Sequence, residues 1–193
     1  MTYELVIAGF GGQGVLSLGK ILAYSGLMED KEVSWMPSYG PEQRGGTSNV
    51  TVIISDTTVS SPLVQNYDVV IALNQPSLEK FAPRVKPGGI LLFDTNGIHH
   101  VPKRDDIEYY EVPAMDEAMA MGNTKVFNML ILGALLKLRP MLSIDSIRRG
   151  EVLARATPQA NPDEYLSDRA WWGNRSPARW LESKQGDFPA FAT

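Results

Sequence analysis

The first residues suited to chemistry are Gly9-Phe10-Gly11-Gly12-Gln13-Gly14, a G-x-G-x-x-G run close to the start of the chain. Glycines at these intervals let backbone N–H groups approach an anion, and a helix opening at the end of the run adds partial positive charge. A dinucleotide site also wants an acidic residue closing the second strand, to hold the ribose hydroxyls. Here that strand ends Trp35-Met36-Pro37-Ser38, which removes much of the support for NAD or FAD. Tight strand-to-helix packing, contact with an anion or cofactor, and dinucleotide binding all stay open at this point.

The second candidate is the loop from Ser38 to Asn49, where Tyr39, Glu42, Gln43 and Arg44 are flanked by Gly40, Pro41, Gly45 and Gly46. A long polar loop at the carboxyl end of a strand sits where open α/β sheets bind ligands or partners. Arg44 suits bidentate capture of a phosphate or carboxylate, and equally a pairing with Glu42 or with a facing subunit. His99 and His100 are adjacent, so a strand would turn them to opposite faces, and no metal site is expected. Asp105-Asp106 and Asp116-Glu117 read as solvated turns or helix starts. Met115, Met119, Met121 and Met129 fall largely at helical spacing and read as core or interface. No nucleophile–base pair is evident, so no catalytic residue is assigned.

These loops need elements to hold them. Glu4 to Ala8 is an apolar run that reads as a buried strand, and Val15 to Leu27 carries apolar residues at helical spacing. Glu32 to Met36, Asn49 to Ser55, Val69 to Leu73, Ile90 to Phe93 and Tyr109 to Val112 read as further strands. Pro76 to Phe81, Met115 to Met121 and Val126 to Leu138 read as helices. The Pro and Gly residues between Pro37 and Thr47 argue against a regular element there, and Lys86-Pro87-Gly88-Gly89 reads as a turn. Alternating strands and helices imply an α/β layered domain with a largely parallel sheet.

Composition narrows the function class. The 193 residues include 18 Lys plus Arg against 22 Asp plus Glu, a formal charge of -4, so the chain lacks the basic footprint of a nucleic-acid binder. With no cysteine, it cannot by itself ligate iron–sulfur clusters or Cys-bound zinc, or form a disulfide. The opening residues lack the pattern of a signal peptide, and no apolar stretch reaches membrane-spanning length; the expectation is a cytoplasmic protein with no membrane partner.

Three motifs in order, Gly9 to Val15, Pro37 to Asn49, and Gly122-Asn123-Thr124-Lys125 leading to Asn128-Met129, make the chain resemble the gamma subunit of the 2-oxoacid:ferredoxin oxidoreductases over about residues 3 to 145. The Ser-Tyr-Gly-Pro-Glu portion is more similar to the 2-oxoglutarate and 2-oxoisovalerate branches than to the pyruvate branch. The resemblance implies a three-layer α/β/α Rossmann-like domain with a mostly parallel sheet. It also implies a complex using thiamine diphosphate with Mg between alpha and beta subunits, iron–sulfur clusters in a beta or delta subunit, coenzyme A, and ferredoxin as the electron acceptor. No cofactor is expected on this chain alone, which serves assembly and the coenzyme A-proximal junction. By carry-over, Gly9, Gly11, Gly12, Gln13 and Gly14 shape the first loop beside the neighbouring subunit and coenzyme A. Ser38, Tyr39, Gly40, Pro41, Glu42, Arg44, Gly45, Gly46 and Thr47 form the facing loop. The competing readings are the corresponding subunit of an indolepyruvate:ferredoxin oxidoreductase and a stand-alone nucleotide-binding module.

The pattern is expected to stop near Ile144, dividing the chain into an α/β domain of residues 1–145 and an atypical tail of residues 146–193. The tail carries Trp171, Trp172 and Trp180, with Pro158, Pro162, Pro177 and Pro189 interrupting any long helix. Family members close with a segment resembling Arg-His-His-Lys-Leu-Ile-Pro-Leu-Asn. Shifting the codons of Ala156 through Glu164 by one nucleotide permits Arg-Arg-His-Lys-Leu-Ile-Pro-Met-Asn. The expectation is a chain out of frame from near Gly150; the alternative is a divergent tail whose tryptophans wrap a partner.

Overall fold

The computed structural model describes residues 1–39 and 46–155. Its centre is β1 (Thr2–Phe10), in which Leu5, Val6 and Ile7 are all completely buried, so the strand is covered on both faces and reads as a continuous apolar run. β1 is followed by α1 (Val15–Met28), β2 (Glu32–Tyr39), β3 (Thr47–Ser55), β4 (Tyr67–Ala72), α2 (Gln75–Phe81), β5 (Val85–Asp94), β6 (Glu108–Val112), α3 (Ala114–Ala120), α4 (Phe127–Leu138) and α5 (Ile144–Arg155).

The strands form one six-stranded sheet in the order β2-β3-β1-β4-β5-β6. β1 pairs parallel with β4, β4 with β5, and β5 with β6, while β3 runs antiparallel to both β1 and β2. Five strands therefore share one direction, and the layered α/β fold with a mostly parallel sheet is as expected. On one face Leu5 and Ile7 pack with Val52, Ile71 and Leu92 beneath α1, α4 and α5. On the other, Val6 and Ala8 pack with Val70, Leu91 and Phe93 beneath α2 and the segment through Ile107. Both sets come from successive residues because strand side chains alternate between faces.

Three local expectations change. Strand β2 continues through Pro37 to Tyr39, with Ser38 opposite Asn49 and Tyr39 opposite Ser48. It is the outermost strand, and proline within sheets is confined to such edges. The Lys86–Gly89 turn lies inside β5 as an irregularity: pairing with β4 passes from Tyr67↔Val85 to Val69↔Ile90. There the Gly88 N–H donates to the Asp106 carbonyl at 2.6 Å.

The third change is α5, where sequence reading placed no element. It runs antiparallel along α1: the Ser143 N–H donates to Glu29 Oε1 at 2.6 Å at one end, and Ala154 lies beside Ser17 and Ile21 at the other. Gly150 makes the approach close. A Cβ there would press on Ser25 Oγ and stand 2.8 Å from the Ile21 carbonyl. The folded unit thus crosses the 145/146 boundary and includes Arg155, and the expectations for the remaining tail lie outside the described residues.

Candidate functional site

After β1 the chain crosses by α1 to β2 on one side of the sheet, and after β4 it crosses by α2 to β5 on the other. The carboxyl ends of β1 and β4 therefore flank the point where strand order reverses, the usual ligand crevice of an open α/β sheet. The glycine run occupies this point. Gln13 N–H donates to the Phe10 carbonyl at 3.1 Å and closes the turn. Gly14 stands at the N-cap of α1 with φ 75° and offers no side-chain cap, so the first-turn N–H groups stay available to an anion. A side chain at Gly14 would meet both that backbone angle and the carboxamide of Asn128, packed directly against it.

Around this helix start lies a cleft of about 440 Å³, lined by Gly12, Gln13 and Ser17 from one side and Thr124, Lys125 and Asn128 from the other, with Ile21, Met115, Phe127 and Ala154 as its apolar part. Lys125 is placed by a short 3-10 turn at Thr124–Val126, which Asn123 opens by accepting the Lys125 N–H at 3.1 Å. The Asn128 Oδ1 is buried without a hydrogen-bond partner. No carboxylate is among the lining residues. An ammonium, a helix N-terminus and two hydroxyls around such a space favour an anionic ligand with an apolar portion.

Met115 is fixed by a buried acid. Asp94, at the end of β5 and 1% exposed, accepts the Met115 N–H at 3.2 Å and so holds the start of α3. Burial pushes its carboxyl above the usual range, against the lowering effect of the Met115 and Ala114 N–H groups.

Of the residues singled out in the sequence, Gly12 and Gln13 line the cleft. Gly9 lies beneath the Gln13 side chain, and Gly14 packs on Asn128. The two glycine-rich segments meet: Thr47 is opposite Phe10 in the β1–β3 ladder, and the Gly11 N–H donates to the Gly46 carbonyl at 2.9 Å. Ser38 and Tyr39 lie in β2 rather than in a loop. Gly40, Pro41, Glu42, Arg44 and Gly45 lie outside the described residues. Ser17, Thr124, Lys125 and Asn128 were not assigned to the site from sequence, although the Gly122-Asn123-Thr124-Lys125 motif contains two of them. Among the described residues no group of three His, Asp or Glu is placed to hold a metal ion, and no helix is long and apolar enough to cross a membrane.

Residues 4–158 match the family model described as pyruvate ferredoxin/flavodoxin oxidoreductase. The chain belongs to this family. It is 47% identical over 132 residues to the ketoisovalerate oxidoreductase subunit VorA of Methanothermobacter marburgensis, covering 68% of this chain and 27% of VorA. The chain thus spans about a quarter of the length of that relative. It is 36% identical over 173 residues to the 2-oxoglutarate synthase subunit KorC of the same organism, covering 86% of this chain and 92% of KorC. Among solved structures, the gamma subunit of a keto/oxoacid ferredoxin oxidoreductase from Geobacter sulfurreducens aligns with a TM-score of 0.70 at 31% identity, over 82% of this chain and 87% of that one. A 2-oxoglutarate:ferredoxin oxidoreductase from Magnetococcus marinus, with 2-oxoglutarate, coenzyme A and succinyl-CoA bound, also aligns with a TM-score of 0.70, at 25% identity over 94% of this chain and 29% of that one. The family resemblance carried by the three sequence motifs is borne out.

Proposed function

We propose that this chain is the gamma-type subunit of a 2-oxoacid:ferredoxin oxidoreductase, and that its glycine loop forms the junction with the partner subunits where coenzyme A is received. The observation that carries this reading is the match to KorC over nearly its whole length. The anion-favouring cleft at the first helix agrees with it, as does the coenzyme A in the Magnetococcus marinus relative.

In this reading the pyrophosphate of coenzyme A meets the first-turn N–H groups of α1 and the Lys125 ammonium. Arg44, by its residue type, is proposed as a further partner for the phosphates. The apolar lining excludes water from the remainder of the ligand. The chain has no cysteine for clusters, and its described residues hold no acidic group that would carry a metal. Thiamine diphosphate, which supplies the decarboxylation chemistry, and the iron–sulfur clusters belong on alpha, beta or delta partners, as does transfer to ferredoxin.

Anaerobic purification of the native chain with mass-spectrometric identification of what accompanies it tests the assembly. Co-elution with thiamine diphosphate-binding and cluster-bearing chains is expected; elution alone as an active nucleotide binder overturns the reading. In the assembled enzyme Lys125→Ala raises KM for coenzyme A about tenfold with little change in kcat, the pattern of lost uniform binding. Unchanged KM removes Lys125 from the site. For the tail, sequencing the codons of residues 150–164 decides between a changed reading frame and a divergent ending.

A further inference from the structure

We infer that Gln13 is a positioning residue whose side chain fastens the glycine loop to the end of β4. This rests on the coenzyme A reading above and deepens it, because it says how the Gln13 side chain shapes the loop. Its Oε1 accepts the Phe10 N–H at 2.6 Å and the Asn74 Nδ2 at 3.4 Å, and its Nε2 donates to the Leu73 carbonyl at 2.8 Å. Both ends of the carboxamide are thus engaged within the protein.

The position of these bonds gives them their effect. The parallel ladder of β1 and β4 ends at Ala8↔Ala72, with one further bond from the Leu73 N–H to the Ala8 carbonyl at 2.8 Å. Beyond that point the β1–β4 pairing stops and the two strands lead to helices on opposite faces of the sheet. Gln13 spans the gap, bonding the Phe10 N–H on one side and the Leu73 carbonyl on the other. Asn74 on the far side is 5% exposed and is itself held as the N-cap of α2, accepting the Ser77 N–H at 2.9 Å. Gly9 leaves the space: a Cβ there would stand 2.7 Å from Gln13 Oε1. The loop that presents the α1 N–H groups is therefore braced against a capped helix before any ligand arrives, the preorganisation that lowers the cost of binding.

Hydrogen exchange on the full-length chain, together with kinetics of the assembled enzyme, tests the inference. In Gln13→Met, which keeps the bulk and removes all three bonds, exchange across residues 9–14 accelerates at least tenfold while residues 90–94 in β5 stay as in the wild type. In Gln13→Glu, which keeps the acceptor bonds and loses the donor, acceleration is smaller. It shrinks further, relative to wild type at the same pH, as the new carboxyl is protonated and regains a donor. In the enzyme both variants raise KM for coenzyme A fivefold or more, with kcat within twofold. A raised KM with unchanged exchange means that Gln13 touches the ligand directly and overturns the brace. Faster exchange with unchanged KM overturns its role in binding. Failure of the coenzyme A reading itself appears separately, as a wild-type complex in which saturating coenzyme A leaves the exchange of residues 9–14 unchanged and Lys125→Ala leaves KM unchanged.

Discussion

The two halves of the sheet are built differently. In the parallel half, β1, β4 and β5 are buried on both faces, and carboxamides tie their carboxyl-end loops together. Gln13 links to Leu73 and Asn74, and Gln75 accepts the His99 and His100 N–H groups at 2.9 and 3.1 Å while donating to the His100 carbonyl at 2.8 Å. In the antiparallel half, β2 is an edge strand of mostly half-buried residues. Where the hairpin reaches the glycine loop, it is joined by the Gly11 to Gly46 bond. Side-chain hydrogen bonds between loops thus gather at the carboxyl ends of the parallel strands, beside the cleft at the start of α1.

The largest test of this contrast is packing. Ile71→Ala, at a fully buried position in β4, is expected to cost about 3–4 kcal/mol, and Met36→Ala in β2 about 1 kcal/mol, read from denaturant midpoints. Equal losses would erase the distinction. Next, Gly14→Ala combines a left-handed backbone with a collision against Asn128, for about 3 kcal/mol. Gly12→Ala has φ 99° but open space around it, for about 1 kcal/mol. If Asn128→Ala fails to rescue Gly14→Ala in part, the packing component is wrong.

Asp94→Ala is expected to cost about 2 kcal/mol by leaving the α3 N–H groups without their acceptor. Because burial raises the Asp94 carboxyl in the folded state, its contribution is fully present below the ordinary value of 3.8 and is lost as pH rises through the folded value. The wild-type advantage over Asp94→Asn should narrow across that window. The smallest effect is at Asp56, held down to about 2 chiefly by its hydrogen bond from Lys31, and also by the N-terminal ammonium. Its contribution is present above 3.8 and fades as pH falls toward 2. The group is fully exposed, so Asp56→Asn at neutral pH should move Tm by no more than about 2 °C, and less at high salt.

Most of the fold could be read from residue types. Leu5-Val6-Ile7 announces a strand buried on both faces, and Leu18 and Leu22 set the inner stripe of α1. α5 escaped although it is amphipathic, with Ile147 and Val152 buried and Arg148 and Arg149 exposed, because the change in residue texture after Ile144 reads as the end of the pattern. The glycine loop was visible as a motif, but the inward turn of Gln13 was not, since nothing local shows that Leu73 and Asn74 lie beside it. Lys125 and Asn128 join the site from more than one hundred residues away, a nearness that only the packing of α4 creates.

The placement of β1 also has a consequence in time. It precedes β3 and β4 in the chain, yet these are its partners, ending at Ser55 and Ala72. At about 5–20 residues per second, roughly 3–12 s separate the making of Phe10 from that of Ala72, during which this apolar strand lacks its full pairing. A chain arrested between β1 and β4 is therefore expected to be the form most prone to aggregate, with the apolar residues of β1 still lacking their native neighbours.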